Sequence, residues 1–157
     1  CVGVLLSRWN VNFDGALDVH LSPQVVPWGQ AVVHQVAAWP STALVLWAFS
    51  LAVARRGRPV DFLGNLGAAR LPLLWAGAVA GALRDQLADP LTATGAPSLA
   101  VLLLSAATIP ALVWAVALMF FGYRTASGLS GPKAGLSFTA GLLVAEVLSK
   151  VVLGFIH

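Results

Sequence analysis

The chain has 157 residues, 59% of them apolar and 10% charged, with a mean hydropathy of +0.86; a soluble domain usually carries about 25% charge, so an ordinary soluble fold is excluded. The net charge of +3 does not point to nucleic acid, because the Lys and Arg residues flank apolar runs instead of forming a patch on a polar surface. The one Cys excludes a disulfide framework and a cysteine-based zinc site.

In chain order, residues 1–9 (CVGVLLSRW) read as the last turns of a helix, and a truncated first span is expected there. Residues 10–35 hold Asp14, Asp18, His20 and His34, while Pro23, Pro27 and Gly29 interrupt any long helix. This segment is expected to be a connection lying against the membrane surface. Its carboxylates and imidazoles are of metal-ligating type, yet no metalloenzyme spacing is present. Gly15 and the prolines leave no rigid helix to present them, so solvated loop charges explain them better.

Residues 36–54 form an uncharged run of about 28 Å at 1.5 Å per residue, enough to cross the hydrocarbon layer. Arg55, Arg56, Arg58 and Pro59 stop it. Residues 60–69 are small and mildly polar and read as a lead-in to Arg70 and Pro72, where Pro suits the first turn of a helix. A third span is expected over residues 68–86, with Arg70 marking its cytoplasmic entrance and Arg84 reaching the other interface by snorkelling. It is the shortest span, and a buried or re-entrant segment is the alternative. Gly77 and Gly81, with the row Ala76 and Ala80, have the small-xxx-small spacing that lets helices approach closely.

After a turn-rich loop at residues 84–98, residues 99–121 are the clearest span, with Pro110 expected to kink its middle. Residues 122–133 (GYRTASGLSGPK) are expected to be a polar loop containing Arg124, Gly128 and Lys133. They lack the Gly-Lys-Ser/Thr ending of a phosphate-cradling loop. Residues 134–156 form the last span, which carries Glu146 and Lys150 at i, i+4, the spacing at which opposite charges meet on one helix face. That pair reads as a proton or ion relay or, more economically, as a self-neutralised structural pair.

The expected fold is thus an all-α polytopic transmembrane helical bundle, one domain over residues 1–157, of about five spans with the first truncated. If the spans alternate, Arg55, Arg56, Arg58, Arg70, Arg124 and Lys133 fall on one side and Arg84 on the other. By the positive-inside rule the basic loops are cytoplasmic and the C-terminus lies outside.

Three stretches carry a family resemblance. Residues 122–134, from Gly122-Tyr123-Arg124 through Gly128-Leu129-Ser130 to Lys133-Ala134, resemble the "glr…hgls…kA" connection before the last helix of the Yip family, the Ypt/Rab-interacting membrane proteins and their bacterial relatives. Leu63-Gly64-Asn65-Leu66-Gly67-Ala68-Ala69-Arg70-Leu71-Pro72 is similar to that family's "lgalarlp" approach to the third helix. Residues 12–21 (NFDGALDVHL) look like a segment after the first helix in some bacterial members. Ser127 stands where the family often has His. The resemblance implies five spans, a cytoplasmic N-terminus and residence in a bacterial inner membrane. Eukaryotic members bind Rab-type GTPases largely through N-terminal cytoplasmic sequence that these residues do not include, so GTPase binding is not implied.

Ser50, Ser105 and Ser149 lie in spans with no His or Lys at a triad spacing, and no acid, base and nucleophile are identifiable. A non-enzymatic membrane protein without cofactor or metal, which organises or recruits protein partners at its cytoplasmic loops, is the expected function. A small transporter or channel using Glu146, Lys150 and the Pro110 kink is the alternative.

Overall fold

The computed structural model describes residues 2–7, 11–13, 19–21, 26–83, 85–87 and 96–154. They form an all-α bundle of six helices with one small hairpin. The elements are α1 (Val2–Leu6), β1 (Val11–Phe13), β2 (Val19–Leu21), α2 (Trp28–Ala54), α3 (Pro59–Ala68), α4 (Leu73–Ala82), α5 (Leu99–Ser127) and α6 (Gly131–Gly154). Three of the helices, α2, α5 and α6, are long and apolar enough to cross a membrane.

Within the connection expected over residues 10–35, the described residues hold two short strands and the first turns of a helix. The strands β1 and β2 pair antiparallel, Val11 opposite Leu21 and Phe13 opposite Val19. Helix α2 then begins at Trp28, eight residues ahead of the expected start. Pro27, extended at φ −56° and ψ 143°, accepts the first helical bond from the Ala31 N–H at 2.9 Å. Ala31, His34, Gln35, Ala38 and Thr42 are all buried, at the i, i+3, i+4, i+7, i+11 spacing of one helix face. The polar His34 and Gln35 therefore continue the buried face of the span instead of preceding it. At its other end α2 stops at Arg55, which is left-handed at φ 53° and donates its N–H to the Leu51 carbonyl at 3.1 Å.

The expected third span over residues 68–86 is also corrected. Residues 59–68, read as a lead-in, form α3: Pro59 supplies a pre-set first turn and Asp61 an acid at the N-terminus. Phe62, Leu66 and Ala69 are buried at i, i+4, i+7, which the small residues between them obscure. Helix α4 has only 10 residues, about 15 Å, half the hydrocarbon thickness. Between the two, Leu71, Leu73, Leu74 and Trp75 each donate to the carbonyl three residues back, at 3.0–3.2 Å. The chain thus tightens without leaving the helical path, and Pro72 withholds the N–H that an unbroken α-helix would need there.

Three hydrogen bonds fasten α3 and its exit antiparallel to α2: Trp47 Nε1 to the Gly57 carbonyl at 3.1 Å, Trp39 Nε1 to the Leu63 carbonyl at 3.2 Å, and Arg70 Nη1 to Gln35 Oε1 at 2.7 Å. Against α5, the same broken helix begins with Phe62 edge-on to Tyr123, ring centroids 5.9 Å apart. It continues with Asn65 donating to the Gly122 carbonyl at 3.3 Å, and finishes with Ala76 and Ala80 in one buried cluster with Ala111 and Ala115.

The loop expected over residues 122–133 is reduced to residues 128–130, because α5 runs on to Ser127 and α6 starts at Gly131. Gly128 caps α5 at φ 69°, its N–H bonding the Arg124 carbonyl at 2.9 Å. That left-handed conformation suits glycine. Pro110 lies inside α5, which continues through it.

The larger core gathers Leu46, Phe62, Leu66, Met119, Tyr123 and Phe138 from α2, α3, α5 and α6. Helices α2 and α6 pack so closely that a Cβ at Gly141 would come within 2.9 Å of Leu46 Cδ2.

Candidate functional site

Five cations share one end of the bundle. The α2–α3 connection, with Arg55, Arg56 and Arg58, reaches the last turn of α5, where a Cβ on Gly57 would lie 3.1 Å from the Ala126 carbonyl oxygen. Helix α6 begins at that same end, since Phe138 meets both Phe120 and Tyr123 at ring-centroid distances of 5.4 and 5.7 Å. Arg124 and Lys133 therefore join the three arginines. Arg55, Arg56, Arg58 and Lys133 are exposed, whereas Arg124 is half-buried and stands over the Phe120 ring, 5.8 Å from its centroid.

Beneath this basic end, Tyr123 is buried at the centre of the aromatic cluster. Its hydroxyl shares a 2.5 Å hydrogen bond with the Ser137 hydroxyl, which joins α5 to α6. Ser50 closes the adjacent corner by donating to the Arg56 carbonyl at 2.7 Å.

Arg70 departs from the expectation that it marks the cytoplasmic entrance. Its side chain is only 4% exposed, because residue 70 follows Phe62, Leu66 and Ala69 on the buried face of α3. From the level of Trp47, beside Gly57, to that of Gln35, its hydrogen-bond partner, α2 rises 12 residues, roughly 18 Å. Arg70 is therefore well inside the bundle, apart from the other five cations.

Glu146 and Lys150 form an ion pair on one face of α6, Oε1 to Nζ 3.5 Å, the lysine 56% and the glutamate 22% exposed. Lys150 is exposed and Glu146 half-buried, and the pair lies 15 residues or more beyond Gly131, towards the end opposite the five cations. Three hydroxyls of the long helices bond within their own helices. Ser149 donates to the Glu146 carbonyl at 2.9 Å, Thr42 to Ala38 at 2.7 Å and Ser105 to Val101 at 2.8 Å.

Gly77 is buried and Gly81 half-buried. Leu73, Ala76 and Ala80 of α4 share a cluster with Ala111 and Ala115 of α5, Ala76 and Ala80 lying one position to the side of the glycine pair. Pro72 and Pro110 come together across a cleft of about 680 Å³ between the α3–α4 break and α5. Among the described residues no group of three or more His, Cys, Asp or Glu could hold a metal ion. Asp14 and Asp18 lie outside those residues, and His34 is buried in α2.

Sequence reasoning missed Gln35, Asn65, the Tyr123–Ser137 bond and the two indole bonds of Trp39 and Trp47. The helical spacing of residues 31–42 carries the signal for Gln35. Nothing local announces the bonds between Asn65 and Gly122 or between Trp39 and Leu63, 57 and 24 residues apart. Comparisons of the chain with family models, with curated proteins and with solved structures found no match.

Proposed function

We propose that the chain is a non-enzymatic integral membrane protein of the Yip type, resident in a bacterial inner membrane, that organises or recruits protein partners on its cytoplasmic side. It crosses the bilayer with α2, with the α3–α4 broken helix, with α5 and with α6. The clustered cations Arg55, Arg56, Arg58, Arg124 and Lys133 face the cytoplasm by the positive-inside rule, and α6 carries the C-terminus outward. The α3–α4 pair follows α5 from Tyr123 to the helix turns around Leu104 and Ala111, a rise of roughly 28 Å, which matches the hydrocarbon thickness.

The observation that carries this reading over transport is the local engagement of Glu146. A relay needs ionisable and polar groups converging on a path through the bundle. Here the half-buried glutamate pairs with Lys150 one turn away on the same helix, and the adjacent Ser149 hydroxyl bonds to its own helix. The basic end, by contrast, offers exposed charge together with an ordered aromatic base.

Two measurements on the full chain, one with purified protein and one in cells, test the reading. In vesicles carrying a pH-sensitive dye and an imposed proton gradient, leakage should equal that of protein-free vesicles. In cells, photo-crosslinkers at Arg58 and Lys133 should trap the same discrete protein, while one at Leu136 on the outer face of α6 should not. Proton flux abolished by E146Q would overturn the proposal in favour of transport.

A further inference from the structure

The cleft between the α3–α4 break and α5 has a construction that the partner-recruiting role does not use. Its lining includes four alanines, Ala68 on α3 and Ala106, Ala107 and Ala111 on α5, of which Ala111 is buried and so lies at the floor, together with Trp75 and Trp114. The two indoles are 65% and 62% exposed, so the cleft opens on the outer surface of the bundle. Two prolines keep it from closing. Pro72 lacks the N–H that would continue the helical pattern between α3 and α4, and Pro110 lacks the N–H that the Ala106 carbonyl would receive in a regular helix. The close approach of Ala76 and Ala80 to Ala111 and Ala115 fixes α4 against α5 just beyond, so the gap cannot be removed by sliding the helices together.

Its depth in the membrane identifies the occupant. Ala106 and Leu118 both line the cleft, and the midpoint of their stretch is residue 112. The midpoint of α5, Leu99–Ser127, is residue 113. The cleft is thus centred on the middle of the helix, where the surrounding medium is hydrocarbon and tryptophan, an interfacial residue, is out of its usual place. Its long axis follows α5 for 12 residues, roughly 18 Å, so it extends about 9 Å to either side of the middle of the hydrocarbon layer, the depth reached by the ends of acyl tails. We infer that this cleft is a binding site for the hydrocarbon tail of a membrane lipid, held between Trp75 and Trp114 on the alanine floor. The tail buries apolar surface on three sides where lipid at a smooth helix face touches one, and this gain in contact selects it over bulk lipid. The site rests on the membrane placement of α5 alone and is independent of partner recruitment.

The test uses the full chain in bilayers containing a small fraction of phosphatidylcholine with a diazirine near the end of one acyl tail, followed by irradiation and peptide mapping. Adducts should concentrate on Trp75 and Trp114 and exceed those on Leu136 and Leu143, which are equally exposed on α6. A107F, which fills the cleft, should reduce the cleft adducts to the α6 level. W114A removes an exposed wall without entering the core and should do the same in part, so the proposal remains testable if A107F does not fold. Labelling spread evenly over all exposed apolar residues, or unchanged in both variants, would overturn it. So would an A106C variant forming a disulfide dimer in the bilayer at the expense of labelling, because the occupant would then be a second copy of the chain.

Discussion

Arg70 Nη1 donates to Gln35 Oε1 at 2.7 Å, a charged hydrogen bond between the break after α3 and the first third of α2. Both side chains are buried, and a buried guanidinium needs acceptors because taking it out of water is costly. Q35L should therefore destabilise the bundle by about 1–3 kcal/mol. Q35E, which keeps the acceptor and adds an opposite charge, should be tolerated better. Unfolding in mixed detergent, followed by tryptophan fluorescence, compares the two, and equal losses would mean that the bond contributes little.

Helix α4 should be intolerant of bulk on its α5-facing side. Gly77 is buried and Leu74 only partly so, and the neighbouring contacts are alanine against alanine. G77L should cost about 1–3 kcal/mol through overpacking, whereas L74I, which conserves volume, should cost less than about 1.5 kcal/mol. Thermal stability in detergent distinguishes them, and equal values would refute close packing.

The Tyr123–Ser137 bond ties α5 to α6 in a buried setting. Y123F leaves the Ser137 hydroxyl without this partner and should cost about 1 kcal/mol. Adding S137A should not double the loss, since the second substitution removes the group left unmatched. A double-mutant cycle of unfolding free energies measures this, and strict additivity would contradict a direct bond.

The ion pair on α6 gives a further cycle. E146Q leaves Lys150 without this carboxylate, and K150Q leaves Glu146 without this ammonium, so each single change removes the opposite charge from one member of the pair. E146Q/K150Q should be at least as stable as either single variant, with a coupling of about 0.5–2 kcal/mol. A double variant less stable than both would show that each charge is held by other groups.

How much of this was legible in the sequence depended on how far apart the partners lie. The uncharged runs announced α2 and α5, the apolar stretch after Lys133 announced α6 in spite of Glu146 and Lys150, and the small-residue row of Ala76 and Ala80 announced the face by which α4 meets α5. The helix ends were harder. The Gly- and Ser-rich composition of residues 122–133 suggested a loop, yet Gly128 alone ends α5, and Tyr123 is held inside by Phe62, Phe138 and Ser137. Composition also hid α3, whose glycines and Asn65 look like a connection until Phe62, Leu66 and Ala69 are placed on one face. Arg70 was misread because a cation beside a helix start usually marks an interface, and only the distant Gln35 shows that it belongs to the interior. The pairing of Glu146 with Lys150 was foreseeable from their spacing, whereas the exposure of Lys150 was not.

The central claim is a bundle that crosses the membrane with its basic end on one side, the α3–α4 broken helix serving as a complete crossing. With Cys1 replaced, single cysteines at Arg58, Gln86 and Ser130 can be labelled in intact cells and in inverted membrane vesicles with a membrane-impermeant maleimide. The account predicts that R58C and S130C react from the cytoplasmic side and Q86C from the opposite side. Reaction of all three from the same side would contradict it, because α3 and α4 would then enter the membrane and return without crossing.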